Sequence, residues 1–130
     1  MTDVLTDPIA VAKELVAREN AYDVDGAIAL FADHAVVVSS MDKFDTPAEV
    51  RRWQEELAAG NIHLEPLEFR CEENTVRWDE TIAVDFFRNL GLEQLEGSCE
   101  IVVHDGKITA FTLALSADSV ERLQQAMKEK

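Results

Sequence analysis

One carboxylate stands where a carboxylate is out of place. Asp85 lies between Val84 and Phe86, in the most apolar part of the run Thr75 to Asn89, TVRWDETIAVDFFRN. A carboxyl group held among apolar side chains suits proton transfer, as general acid or base. The competing reading is a structural carboxylate paired with Arg70 or Arg88. Other groups offer less chemistry. Cys99 as a nucleophile needs an activating histidine or a cationic setting, and the sequence points to neither, so packing is expected of it. His34, His63 and His104 share no metal spacing and sit near turns or strand ends; no metal and no cofactor is expected. Glu65, Glu68, Glu72 and Glu73 read as a solvated face, because no calcium-loop pattern accompanies them. Ser39 could donate a hydrogen bond to a ligand or simply end a strand. Trp53 could form a wall on which a planar ligand stacks, or belong to the core.

The elements that must position these groups follow in chain order. Asp7 and Pro8 open a first helix by cap and N1 preference, with Ile9, Ala12, Leu15, Val16 and Glu19 at helical spacing. A short helix begins near Asp23 or Asp25 and carries Ala27, Ile28, Leu30 and Phe31; a strand AVVVS over 35–39 follows. Thr46-Pro47-Ala48-Glu49 is a capping box, and its helix, with Val50, Trp53 and Leu57 on one face, ends at Gly60-Asn61. From Ile62 the period changes to two. A strand over 62–73 contains Pro66, so it is an edge or is broken there. Thr75 to Asn89 is the longest strand. Glu96 to His104 and Lys107 to Leu115 flank Asp105-Gly106, a strong hairpin signal. A terminal helix starts at Asp118-Ser119-Val120-Glu121 and ends in Lys128 and Lys130.

Helices first and strands later imply an α+β fold, with a curved antiparallel sheet wrapped around the N-terminal helices. The concavity of such a sheet binds small molecules. The facing of the long strand stays open at this level. Alternation puts Val76, Trp78, Glu80, Ile82, Val84 and Phe86 in the core and Asp85 in water. Yet Ala83, Asp85 and Phe87 do not make an ordinary solvent face, and a bulge near Asp79 could switch sides.

Composition bounds the rest. A chain of 130 residues is a single domain by size. Acidic residues outnumber basic ones 26 to 12, a net charge of −14, which argues against nucleic acid and anionic membranes as partners. Two cysteines, Cys71 and Cys99, suit buried free thiols in a reducing cytoplasm. The opening MTDVLTDP has neither a basic nor an apolar leader region, so no signal peptide is expected. No apolar run approaches the ~20 residues of a membrane span.

The run DVDGAIALFADHAVVV resembles the helix-to-strand signature of nuclear-transport-factor-2-like proteins, which include SnoaL-like polyketide cyclases, ketosteroid isomerases and limonene-epoxide hydrolases. TPAEV and IVVHDGKITAFTLAL fall where that superfamily has its third helix and last two strands. The resemblance implies one SnoaL-like domain over 1–130, a cone-shaped, cystatin-like α+β roll with an apolar pocket for a hydrophobic small molecule. Carried over by residue, the catalytic positions of the ketosteroid isomerases fall on Leu15, Ser39 and Cys99, which cannot supply the base and two acidic donors an enolate needs, so that activity is rejected. The Arg-x-Asp motif of the epoxide hydrolases falls on Ala83-Val84-Asp85 and their second aspartate on Leu113, leaving half a mechanism. The resemblance also implies that Asp85 points into the cone. The expected pocket is then Leu15, Ser39, Trp53, Ala83, Phe87, Cys99, Ile101, Phe111 and Leu113. Trp78, Ile82, Val84 and Phe86 face outward as a homodimer interface. Two functions follow: a small-molecule-binding domain, or a small isomerase, cyclase or hydrolase acting on a hydrophobic cyclic or polyketide-like substrate through Asp85.

Overall fold

Helix starts are set by local chemistry. In the computed structural model, which describes residues 7–39 and 42–129, Asp7 accepts a hydrogen bond from the Ile9 N–H at 3.1 Å and opens α1, Pro8–Asn20. Residues 1–6, on which the leader reading falls, and Lys130 lie outside the described residues. Asp23 caps α2, Val24–Ile28, through the Gly26 N–H at 2.9 Å. Thr46 caps α3, Pro47–Ala59, and Glu49 reaches back to the Asp45 N–H and the Thr46 hydroxyl. These three starts are the ones the sequence predicts.

The strands are β1 (Phe31–Val38), β2 (Lys43–Phe44), β3 (His63–Pro66), β4 (Arg70–Glu72), β5 (Thr75–Ala83), β6 (Leu95–His104) and β7 (Lys107–Leu115). They form one sheet in the order β2-β1-β7-β6-β5-β3, with β4 also paired to β5. The sheet is mixed, not wholly antiparallel, because β1 runs parallel to β7. β1 also begins at Phe31 rather than Ala35, since the Leu30 carbonyl accepts the Ile108 N–H at 2.8 Å and draws the chain into the sheet early. Pro66 ends β3; the Leu67 N–H still donates to the Asp79 carbonyl of β5 at 2.8 Å, and strand pairing with β5 resumes at Arg70. Asp105 and Gly106 both take positive φ, 51° and 78°, the backbone that a two-residue hairpin requires.

β5 stops at Ala83, six residues before the predicted end. Its partners run out there: His63 pairs with Ala83, and Leu95 pairs with Ile82. Beyond them the backbone turns into α4, Asp85–Asn89, anchored by the Asp85 N–H to the Gly60 carbonyl at 2.8 Å.

Register settles which side chains share a face. Val37, Phe111, Ile101 and Val76 form one row across the sheet, and Leu113, Cys99 and Trp78 the next. Val37, Ile101, Val76, Trp78 and Leu95 are among the most deeply buried side chains of the chain. This is the concave face, and α1 and α3 lie across it. Breaks in register between Phe31 and Val36 and between Val102 and Val103 supply curvature. Gly97 assists: a Cβ there would stand 3.0 Å from Leu113 Cδ1 and 3.2 Å from the Ala114 carbonyl oxygen.

Helix α5, Ala117–Lys128, starts one residue before the predicted Asp118 because Ser116, not Asp118, is the cap. Ser119 is thereby free to dock the helix. It is fully buried, and its hydroxyl accepts the Glu96 N–H at 2.8 Å. Ser119→Ala should leave that N–H without a partner and destabilise the chain by about 1–3 kcal/mol in urea unfolding.

Candidate functional site

The concave face carries charge at its centre. Glu19, one turn after Leu15 and Val16 on α1, points inward and is 6% exposed; Glu80 on β5, between Trp78 and Ile82, is 4% exposed. Gln54 of α3, 3% exposed, donates its amide to Glu19 at 2.7 Å. The Trp78 indole donates to Glu80 at 2.9 Å, and the Cys99 thiol also hydrogen-bonds to Glu80. Burial pushes the Glu19 carboxyl up to about 8, opposed by the Gln54 hydrogen bond and reinforced by the charge of Glu80. Burial raises Glu80 as well, against its two donors. Two carboxylates this close in an apolar interior do not both ionise. Glu19, facing a neutral amide, keeps its proton at neutral pH. Burial, and the Glu80 charge next to it, push the Cys99 thiol far above the ordinary thiol range, so it is not a nucleophile.

Around this polar centre the cone is filled. Leu15 and Ile101 have no exposed surface, and Phe111 packs on Trp53 with ring centroids 5.2 Å apart. Space opens instead at the mouth, in a cleft of about 310 Å³. Trp53, Glu56 and Leu57 of α3 line one side. Ile82 and Val84 at the end of β5, with Phe86 and Phe87 of α4, line the other. Leu113 and Leu115 of β7 and Leu123 of α5 close the back, and Ser39, Asp42 and Phe44 the remaining edge. The walls are apolar apart from Ser39, Asp42 and Glu56. Trp53 is held as a wall by Phe44, stacked at 6.1 Å, and by Phe31, edge-on at 6.2 Å. A wider depression of about 410 Å³ at the Asp105-Gly106 hairpin is lined by polar groups such as Glu73, Asn74 and His104, and offers little apolar surface to a ligand.

The predicted site residues divide. Ser39, Trp53, Phe87 and Leu113 meet at the cleft. Leu15, Cys99, Ile101 and Phe111 do not reach it, since all four are buried in the hydrophobic core, and Ala83 is not among its lining. The enclosed Asp85 is overturned. Because β5 ends at Ala83, Asp85 falls in the first turn of α4, with its side chain 45% exposed. Its carboxylate accepts from Arg88 Nη1 and from Asn61 Nδ2, both at 2.7 Å. This is the paired, structural arrangement with Arg88. The outward-facing interface is overturned with it. Trp78 and Ile82 are 1% and 5% exposed on the concave side, Val84 and Phe86 line the cleft, and simple alternation describes β5 correctly. Glu19, Gln54 and Glu80 went unrecognised as a group. The signal was present: Glu19 sits in an apolar helical stripe and Glu80 on the core-facing set of a strand.

A mixed, curved, open sheet closed by helices on its concave side is the α+β roll of the cystatin-like class. Within that class, the chain has the nuclear-transport-factor-2-like fold. No family model matches the sequence, and no curated protein does. Solved structures match closely in shape. One, an NTF2-like protein of unknown function from Cytophaga hutchinsonii, is similar with a TM-score of 0.74 at 12% identity over 92% of this chain and 97% of that one. A second, an epoxide hydrolase/cyclase-like enzyme of pyran ring formation in the polyether salinomycin, has a TM-score of 0.76 at 14% identity over 86% and 92%. A de novo designed protein with a curved β-sheet reaches 0.70 at 14% identity over the whole of both chains. A designed chain that shares the shape makes the limit plain: these likenesses establish fold, and function must come from the site.

Glu19 makes stability depend on pH. Its folded value, about 8, lies above the ordinary glutamate value of 4.5, so the folded chain binds more protons between the two. Stability from this group is therefore lost as pH rises from about 4.5 to about 8. Glu19→Gln keeps the acceptor for Gln54 without the charge. The variant should gain about 1–3 kcal/mol over the parent at pH 8.5 and much less at pH 5. Equal gains at both pH values, read by thermal unfolding, would show that Glu19 does not titrate in the core.

Proposed function

We propose that this chain is a small-molecule-binding domain that takes a hydrophobic ligand in the cleft at the mouth of its cone. The observation that carries the reading is the cleft itself, whose volume of about 310 Å³ is walled by aromatic and aliphatic side chains. Phe86 at its rim is 46% exposed, apolar surface that a ligand would remove from water. A neutral fluorescent probe, N-phenyl-1-naphthylamine, should bind with a blue shift and increased emission. Phe86→Ala should weaken it by about three- to tenfold, the worth of one aromatic contact, with little change in melting temperature because the ring is half-exposed. No binding by the parent chain would reject the reading.

The second reading, an isomerase, cyclase or hydrolase acting on a hydrophobic cyclic or polyketide-like substrate, is favoured by the Glu19 carboxyl, which burial holds near neutrality. It ranks lower because neither Glu19 nor Glu80 lines the cleft, and because Asp85 is committed to Arg88 and Asn61.

We also infer a cytoplasmic homodimer. Cys99 is a buried free thiol and Cys71, at the edge strand β4, an exposed one rather than the buried one expected; free thiols are what a reducing compartment favours. No described helix is long and apolar enough to cross a membrane. The convex side of the sheet offers the row Val36, Ala110 and Val102, with Val38 beside it at 38% exposure. A second copy could cover this strip about a two-fold axis. Sedimentation at high micromolar concentration should give a dimer, and Val38→Glu should split it; a monomeric parent chain would remove the proposal.

A further inference from the structure

Arginine neutralises some of the acids on this surface, but not those at the cleft. Asp23, Asp25, Asp85 and Glu100 each pair with an arginine, namely Arg18, Arg51, Arg88 and Arg77. Among the described residues, Asp42 and Glu56 have no ion-pair partner, although both line the cleft and both are exposed. No lysine, arginine or histidine is among the lining residues. The cation nearest in sequence to the α4 wall, Arg88, is turned away to Asp85 and the Asn61 carbonyl. Asp42 is also presented by structure: the Asp42 N–H donates to the Ser39 hydroxyl at 3.2 Å, and the Ser39 N–H donates to the Asp42 carbonyl at 2.8 Å.

The wall itself favours the same charge. The chain has nine aromatic residues, six Phe, two Trp and one Tyr, and four of them, Phe44, Trp53, Phe86 and Phe87, line this cleft. Aromatic faces attract cations through the ring quadrupole, most strongly where water is partly excluded. An anionic ligand would meet the opposite: unpaired carboxylates at the entrance and a net charge of −14 behind them.

We propose that the cleft selects an amphiphilic cation, with its apolar body against the Trp53 and Phe87 wall and an ammonium-type group at the Asp42 and Glu56 edge. The inference rests on the small-molecule-binding reading and narrows it to a ligand class. It places the charged group at the solvent edge, where its hydration is only partly lost and two carboxylates compensate.

Three isosteric probes separate the two levels. 1-Naphthylmethylamine is cationic at pH 7, 1-naphthalenemethanol is neutral and 1-naphthoate is anionic. Titration calorimetry at low salt should show the alcohol binding, the amine binding about tenfold more tightly, and the carboxylate at least about tenfold more weakly than the alcohol. The preference for amine over alcohol should shrink in 0.5 M salt to about threefold or less. In the double variant Asp42→Asn, Glu56→Gln it should vanish, read as the ratio of amine to alcohol affinity in the same protein, so that any change of the cleft common to both probes cancels. The control Glu73→Gln, Asp105→Asn removes the same charge at the opposite, hairpin end of the sheet and should keep the preference. If the alcohol binds and the amine is no better, the cation proposal is overturned and cleft binding stands. A preference that survives in the cleft variant, or falls equally in the hairpin control, assigns it to net charge and also overturns the proposal. If none of the three binds, the underlying reading fails and this one with it.

Discussion

The buried polar groups Gln54, Glu19, Glu80 and Trp78 are the constraint around which the interior is arranged. Gln54 of α3 is hydrogen-bonded to Glu19 of α1, the Trp78 indole to Glu80 within β5, and the charge of Glu80 raises the Glu19 carboxyl across the concave face. A buried carboxyl group without partners is costly, and one with partners fixes the elements that supply them. Asn20, the residue after Glu19, extends the same logic to the edge of the sheet. Its side chain donates to the Leu64 carbonyl at 2.9 Å and accepts the Leu64 N–H at 2.8 Å, so the end of α1 pairs with β3 as a neighbouring strand would. Helix α1 is therefore held at one depth and one angle. The cone is filled beneath it, and open volume is left at the mouth.

That division shapes the functional argument. In a cone with an open interior, a carboxyl group near neutrality would stand directly against a ligand. Here the carboxyl groups with raised values are buried and hydrogen-bonded to Gln54, Trp78 and Cys99, neither lines the cleft at the mouth, and that cleft is walled mostly by rings and aliphatic chains. Apolar walls with carboxylates only at the edge supply affinity and orientation. They do not place a proton donor against a reacting atom, which proton transfer requires. Binding therefore follows from the geometry more directly than catalysis does.

The fold and the site also differ in how firmly each is set. Curvature comes from register breaks, from Gly97 and from the parallel pairing of β1 with β7, all of them backbone features, and a designed protein with a curved β-sheet shares the overall shape. The chemistry of the mouth comes from a few side chains on four separate elements: Asp42 near β2, Glu56 on α3, Phe86 on α4 and Leu123 on α5. Changing any one of these alters what the cleft accepts without altering the sheet. This is the physical reason that shape alone does not name a ligand.

The local signals were legible in the sequence and were local in cause. Asp7-Pro8, the Thr46 to Glu49 box and Asp105-Gly106 each act within four residues, and each does in the structure what its chemistry demands. The resemblance carried by DVDGAIALFADHAVVV led to the right fold. The facing of β5 was legible as well, in the alternation of Val76, Trp78, Glu80 and Ile82, but the alignment of Asp85 with a catalytic motif weighed against it. What only the tertiary structure decided was where β5 ends. No residue in AVDFFRN announces a stop; the strand ends because β3 and β6 offer no partner beyond Ala83, and both partners are distant in sequence. That termination moves Asp85 from the cone to a paired position on α4. It leaves Phe86 and Phe87 at the mouth, and leaves the interior acids to be Glu19 and Glu80. Pairing between strands is a long-range property of the backbone, and the location of the site depends on it.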